Sequence, residues 1–265
     1  MKVFISADIE GISITNNHEE CSSGSPKYPF NCQQMTREVV AACEGALAGG
    51  ATEIVIKDAH GPGTNIDPTQ LPAGVTLQRN WSGHPYSMAE GVDSTFDAAF
   101  FVGYHSAAGK PGNPLSHTMT GRAAWIKLNG RFCSEFMLYS WACALEGVPT
   151  VLLTGDKMLC EDELELHPAL VTVPVKDGRG SLTVVYTPVT VEQSIRAAAE
   201  KAVQQNLEAA KITLPEHFKC EIFFKDQVHA HRVSYFPGVK KVGSNEVHFE
   251  SDSYYDVLNA LKWIL

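Results

Sequence analysis

The sequence predicts an α/β protein, a mixed sheet covered by helices with additional antiparallel strands. Three observations carry the prediction. Short runs of continuous apolarity, such as Ala98–Val102 and Thr150–Leu153, read as buried strands and alternate with stretches of helical period. The first two strands flank one such helix, which makes a βαβ unit with parallel strands. Asn129-Gly130, set between Ala124–Leu128 and Arg131-Phe132, is a hairpin signal.

Taken in order, the first strand runs into Phe4-Ile5-Ser6-Ala7-Asp8-Ile9-Glu10 and ends in two carboxylates that point the same way if the chain stays extended. A polar loop over 13–31 follows. Asn31 with Gln34 reads as a capping box for a helix whose stripe is Met35, Val39, Ala42 and Ala46, ended by Gly49-Gly50. Glu53–Asp58 is the second strand and leads into His60. Val75–Gln78 is a short strand, and Ala98–Gly103 is a buried one that delivers Tyr104-His105. After the hairpin, Glu135 stands near the start of a helix carrying Phe136, Leu138, Trp141 and Leu145. The strand Thr150–Thr154 follows, then a short surface helix over 161–167 and strands at Val171–Val175 and Leu182–Tyr186. Thr190 with Gln193 reads as a second capping box, opening a helix with Ile195, Ala199, Val203 and Leu207 on one face. Strands at Cys220–Phe224 and Val247–Phe249, then a helix from Ser253, complete the chain. The expected division is 1–188 for the metal-binding α/β region and 189–265 for a carboxyl-terminal α+β region packed on the same core.

With 265 residues, 44% of them hydrophobic, the chain can bury one substantial core and a small second lobe. A net charge of -9 argues against a nucleic-acid or anionic-membrane partner. Asp8 comes too early for a secretory signal, and no apolar stretch approaches the roughly 20 residues of a membrane span. Seven cysteines without close pairs read as reduced thiols of a cytoplasmic protein.

Three strands end in possible ligands: Asp8 with Glu10, His60 after Asp58, and His105, with His117 and Glu135 close behind. Carboxylates and imidazoles without a thiolate suit zinc, manganese or cobalt in a hydrolytic site. Five such ligands fit two adjacent metals sharing a carboxylate. Asp58 is either a cap or a support for His60, His117 flanks a turn or moves a proton, and Asp156 is polar after a buried strand or caps a loop. His229 and His231 have the spacing of a ligand pair but read as a solvated loop. On residues alone, a two-metal phosphoesterase, another amidohydrolase and a non-catalytic metal-stabilised peptide-binding protein stay open. Few basic groups, chiefly Lys110 and Arg122, attend the ligands for phosphate.

The segments Ser6–Ser13, Asp58-Ala59-His60, Gly103-Tyr104-His105, Ser116-His117-Thr118-Met119 and Ser134-Glu135, in that order, resemble the DppA-type D-aminopeptidases, a family of dinuclear zinc peptidases. The match covers about the first 160 residues closely and the rest by element order. The resemblance implies a three-layer α/β/α fold with a mixed central sheet and a smaller carboxyl-terminal α+β part. It implies two zinc ions per subunit, with Asp8 as the bridge, Glu10, His60, His105 and Glu135 as the other metal ligands, and His117 as the catalytic residue. It also implies a ring-shaped homodecamer that removes the amino-terminal residue, typically a D-amino acid, from short peptides. The loop 14–20, the loop 107–115 and His229–Arg232 depart from the family pattern.

Overall fold

The computed structural model describes residues 1–265. In chain order the elements are β1 (Lys2–Ala7), α1 (His18–Cys21), α2 (Tyr28–Ala48), β2 (Glu53–Asp58), β3 (Val75–Gln78), β4 (Ala98–Tyr104), β5 (Ala123–Leu128) and β6 (Arg131–Phe132). Then come α3 (Glu135–Leu145), β7 (Thr150–Asp156), α4 (Lys157–Leu166), β8 (Val171–Arg179), β9 (Leu182–Val185) and α5 (Pro188–Gln204). The chain closes with β10 (Phe218–Phe224), α6 (Gln227–Val233), β11 (Lys240–Lys241), β12 (Glu246–Ser251) and α7 (Tyr254–Ile264).

Seven strands form the central sheet in the order β3-β2-β1-β4-β7-β8-β9. All neighbours are parallel except β8 and β9, which makes the sheet mixed as expected. Side chains alternate across it. Ile5, Ile56, Phe100 and Val151 pack with α2 and α5 on one face. Phe4, Val55, Phe101 and Leu153 pack with α3 on the other. Beyond α3 lies a second, antiparallel sheet, β11-β12-β10-β5-β6, with α7 against it. This is a three-layer α/β/α core with a smaller α+β part.

The layers cut across the expected division at residue 188. The hairpin β5–β6 pairs with β10, so residues 123–132 belong with the carboxyl-terminal strands. Helix α5 instead lies on α2, where Gly45 meets the Arg196 carbonyl and Ala199. Both expected capping boxes are also displaced. Helix α2 begins at Tyr28 with Pro29 in its first turn, and Asn31 Nδ2 donates within the helix to Lys27 O at 3.1 Å. Helix α5 begins at Pro188 after Thr187. Proline presets the helical φ at these positions, so no side-chain cap is needed. Helix α4 starts at 157, four residues earlier than expected, because Asp156 caps it through Leu159 N at 3.0 Å. His229 and His231 are not on a loop. They lie on α6, where His229 is buried and its Nε2 donates to Ile264 O at 3.0 Å.

The chain order reverses beside β1, whose two neighbours β2 and β4 continue in opposite directions. In open α/β sheets the crevice at such a point receives ligands.

Candidate active site

Asp8 and His105 follow directly on β1 and β4, and His60 stands two residues past β2, at the carboxyl ends of the three strands around that crevice. Asp8 stays in register by donating its amide to Val102 O at 2.9 Å. Glu10 reaches the same side through a turn, since β1 has ended at Ala7, and not by strand alternation. Gly11 N bonds Gly103 O at 2.8 Å, and a side chain at Gly11 would sit 1.8 Å from Tyr104 O. Only glycine allows β1 and β4 to approach this closely behind the two carboxylates.

Glu135 enters from the opposite face as the first residue of α3. Ser134 caps that helix through Met137 N at 2.9 Å. The turn carrying His117 is tied to the same helix start. Thr118 Oγ1 donates to Cys133 O at 2.7 Å, and Met119 N donates to Glu135 Oε1 at 2.6 Å.

All six residues singled out from the sequence converge. His60 Nδ1 lies 2.9 Å from Glu10 Oε2 and 3.3 Å from Asp8 Oδ1. His105 Nε2 lies 3.5 Å from Asp8 Oδ2 and 3.3 Å from Glu135 Oε2. His117 stacks on His105 at 4.4 Å, with its Nε2 3.6 Å from Glu135 Oε1. Each imidazole turns its other nitrogen away to donate to a backbone carbonyl: His60 to Cys21 O at 2.7 Å, His105 to Ser106 O at 3.0 Å and His117 to Leu115 O at 2.8 Å. The nitrogens facing the carboxylates therefore carry lone pairs in the neutral rings.

Lone pairs facing carboxylate oxygens repel unless positive charge lies between them. Glu10 Oε2 and His105 Nε2 are buried without a hydrogen-bond partner. Without a bound ion, protonation is the alternative source of positive charge. Burial opposes charge on His60, yet Glu10 and Asp8 overcome it and push its pKa up to about 12. His105 is likewise pushed up to about 10, against burial, chiefly by Glu135. Burial and the charge of Glu10 push Asp8 up, while the imidazoles hold Glu10 and Glu135 down against their own burial. The donor set of oxygens and imidazole nitrogens fits divalent cations. The ligand atoms of Asp8, Glu10 and His105 lie within 4.8 Å of one another, as do those of His105, His117 and Glu135.

A family model described as peptidase M55, D-aminopeptidase, matches residues 1–263. The chain belongs to this D-aminopeptidase family. It is an enzyme of the hydrolase class, which removes the non-catalytic binding reading. It is 27% identical over 263 residues to the D-aminopeptidase of Bacillus subtilis strain 168, covering 98% of this chain and 95% of that one. Its fold matches the structure described as the Zn-dependent D-aminopeptidase DppA from Bacillus subtilis, a self-compartmentalizing protease. That match has a TM-score of 0.92 and 26% identity over 100% of this chain and 96% of the other.

Other residues of this family member hold the site from behind. Asp58 does not touch the His60 ring. It accepts from Asn65 N and Nδ2, both at 2.5 Å, and from Ile66 N at 2.8 Å, and Asn65 Nδ2 also donates to His60 O at 2.7 Å. Asp156 caps α4 and accepts from Ser106 N and Oγ, each at 2.6 Å, which fixes the residue after His105. Lys176, fully buried on β8, donates to Glu10 O and to Thr15 O. Asn113 Nδ2 donates to the same Glu10 carbonyl at 3.1 Å. Lys176, Asn113 and Asn65 were not singled out from the sequence. The only signal for Lys176 is a lysine closing an apolar strand run.

The cavity above the carboxylates is lined by Trp81, Ser87 and Met119 and by no lysine or arginine. Lys110 pairs with Asp162 at 2.9 Å and Arg122 donates to Leu265 O at 3.0 Å, while Lys225 is the one such cation lining the adjoining cleft.

Proposed function

We propose that this chain is a zinc-dependent aminopeptidase that removes the amino-terminal residue of short peptides, D-amino-acid peptides and amides among them. The observation that carries the reading is Asp8. One of its oxygens faces His60, whose Nδ1 is also beside Glu10, and the other faces His105, whose Nε2 is also beside Glu135. A carboxylate between two carboxylate–imidazole pairs suits a bridge between two metal ions. The proposed zinc ligands are therefore Asp8, Glu10, His60, His105 and Glu135. A relative described as Zn-dependent supports the choice of metal over manganese or cobalt.

Two zinc ions held there would polarise the scissile carbonyl and lower the pKa of a water. His117 is the catalytic residue in this reading. It is a quarter exposed to the cavity, and Leu115 O holds its Nδ1 proton, so Nε2 accepts a proton at the reacting centre and delivers it to the leaving nitrogen. Trp81 and Met88 line the cavity beside the cluster. A two-metal phosphoesterase often adds Lys or Arg to its metals to meet phosphate, and the cavity over the carboxylates is lined by neither.

A self-compartmentalizing relative supports assembly into a ring-shaped homodecamer, and free cysteines throughout support a cytoplasmic setting. Light scattering should then return the mass of ten 28.9 kDa chains. The deciding assay uses zinc-loaded protein on paired D- and L-alaninamide and alanyl dipeptides, with p-nitrophenyl phosphate as control. Turnover of an amide or peptide and none of the phosphoester is expected. His117→Ala should lower kcat by about 10²- to 10⁴-fold with metal content unchanged. Full activity in that variant, or phosphoester hydrolysis alone, would overturn the assignment.

A further inference from the structure

We propose that an apolar cavity beside the carboxylates binds the leaving end of the substrate, taking an apolar side chain together with its free α-carboxylate. The inference rests on the aminopeptidase reading and names its substrate class: dipeptides and short peptides in which an apolar residue follows the scissile bond and carries the free carboxyl end.

The cavity measures about 460 Å³, within the size range of small-molecule sites. Tyr139, Leu258, Leu261 and Leu265 supply apolar surface, so it draws on α3 and α7 together. It adjoins the space above the metal-ligand cluster, with Ser87 and Met119 lining both. Met119 N bonds Glu135 Oε1 at 2.6 Å, so the divider is one hydrogen bond from the cluster.

Both divider residues hold left-handed backbone, Ser87 at φ 43° and Met119 at φ 61°, a conformation uncommon outside glycine. Such conformations persist where the surroundings over-determine them, often at ligand clamps. Here Tyr139 OH donates to Met119 Sδ at 3.1 Å and holds the divider from the cavity side.

Charge sets the direction. The cluster end carries Asp8, Glu10 and Glu135. The apolar cavity is lined by Arg122 and Lys262 and by no Asp or Glu; Arg122 is already bonded to Leu265 O at 3.0 Å, whereas the Lys262 ammonium has no hydrogen-bond or ion-pair partner. A dipeptide has the complementary polarity, amine at one end and carboxylate at the other. Its amino end belongs at the cluster and its carboxylate at Lys262, which leaves the side chain between them against the leucines.

The test compares kcat/KM of zinc-loaded protein for alanyl-leucine, alanyl-leucinamide, alanyl-glycine and alaninamide, in the stereochemical series that is turned over. The acid should exceed its amide, and leucine should exceed glycine, each by about 10-fold or more. Lys262→Glu should bring the acid-to-amide ratio to about one or below. Leu261→Trp, which fills the cavity, should collapse the leucine-to-glycine ratio. Free leucine should inhibit alaninamide turnover competitively, and about 10-fold more weakly in Lys262→Glu. Equal rates for acid and amide, with the ratio unmoved in Lys262→Glu, would overturn the subsite while leaving the peptidase standing. No turnover of any peptide or amide would overturn the peptidase reading and the subsite with it.

Discussion

Lys176 holds the Glu10 turn from the side opposite the cavity. Its ammonium is fully buried, and burial lowers its pKa to about 8 although Asp156, Glu38 and Glu10 act to raise it. It makes no ion pair with a carboxylate. Its hydrogen bonds go to the carbonyls of Glu10 and Thr15, on the segment that carries two of the proposed zinc ligands. Lys176→Met keeps the length of the side chain and removes the donors, so Thr15 O loses its partner at about 1–3 kcal/mol while Glu10 O keeps only Asn113. Urea denaturation should show a loss of about 1–3 kcal/mol, and zinc affinity should fall because Asn113 alone then holds Glu10. A variant with unchanged stability and unchanged zinc affinity would show that Asn113, the other donor to Glu10 O, suffices alone. This residue also marks the limit of reading the site from sequence. Asp8, His60, His105 and Glu135 were legible as candidates because each is a polar side chain close to the end of a strand or at the start of a helix, and Glu10 because it stands two residues past Asp8. Lys176 was not, because it acts on carbonyls more than 160 positions away in the chain.

Among the elements, α3 and α4 share one buried acid. Ser134, the cap of α3 immediately before Glu135, donates to Glu163 Oε1 of α4 at 2.8 Å. Glu163 Oε2 has no hydrogen-bond partner, and burial pushes the carboxyl up to about 7 from its ordinary 4.5. Between those two values the folded chain holds a proton that the unfolded chain has released. Stability from this group is therefore full below about pH 4.5, falls as pH rises toward 7, and is lost above it, by about 3 kcal/mol across the window. Glu163→Gln keeps the acceptor for Ser134 and removes the titration. Urea midpoints measured at pH 5 and pH 8 should lie closer together in the variant, with the gain at pH 8. An identical pH slope in both proteins would mean that the carboxylate is compensated by another group.

The elements themselves were largely legible, since apolar runs and the Asn-Gly turn mark strands by local chemistry. Helix starts at 28 and 188 were misread because the helical stripe shows which face is buried, not where proline begins the turn. The partner of the β5–β6 hairpin was hidden because β10 lies some 90 residues on.

At the scale of the whole molecule, metal binding is coupled to the stability of the crevice. The site gathers three carboxylates and three imidazoles at the point where the sheet reverses direction, in a chain whose net charge is already -9. Ions that bind the folded state alone stabilise it in proportion to the logarithm of free metal over Kd, about 4 kcal/mol at a thousandfold excess. For a chain of this length that is roughly 10 °C in Tm. Chelation should therefore remove turnover and lower Tm together, and zinc should restore both. The metal-free state keeps the carboxylates compensated by protonating His60 and His105, so the fold itself should survive chelation, with its circular dichroism unchanged below the transition. Asp8→Asn separates stabilisation by the metal pair from non-specific effects of zinc, because it weakens the one carboxylate that faces both halves of the site. In that variant metal content should fall below two ions per chain and the zinc-dependent rise in Tm should shrink with it. A full two ions and an undiminished rise in Asp8→Asn would exclude Asp8 as the bridge and move that role to Glu10 or Glu135.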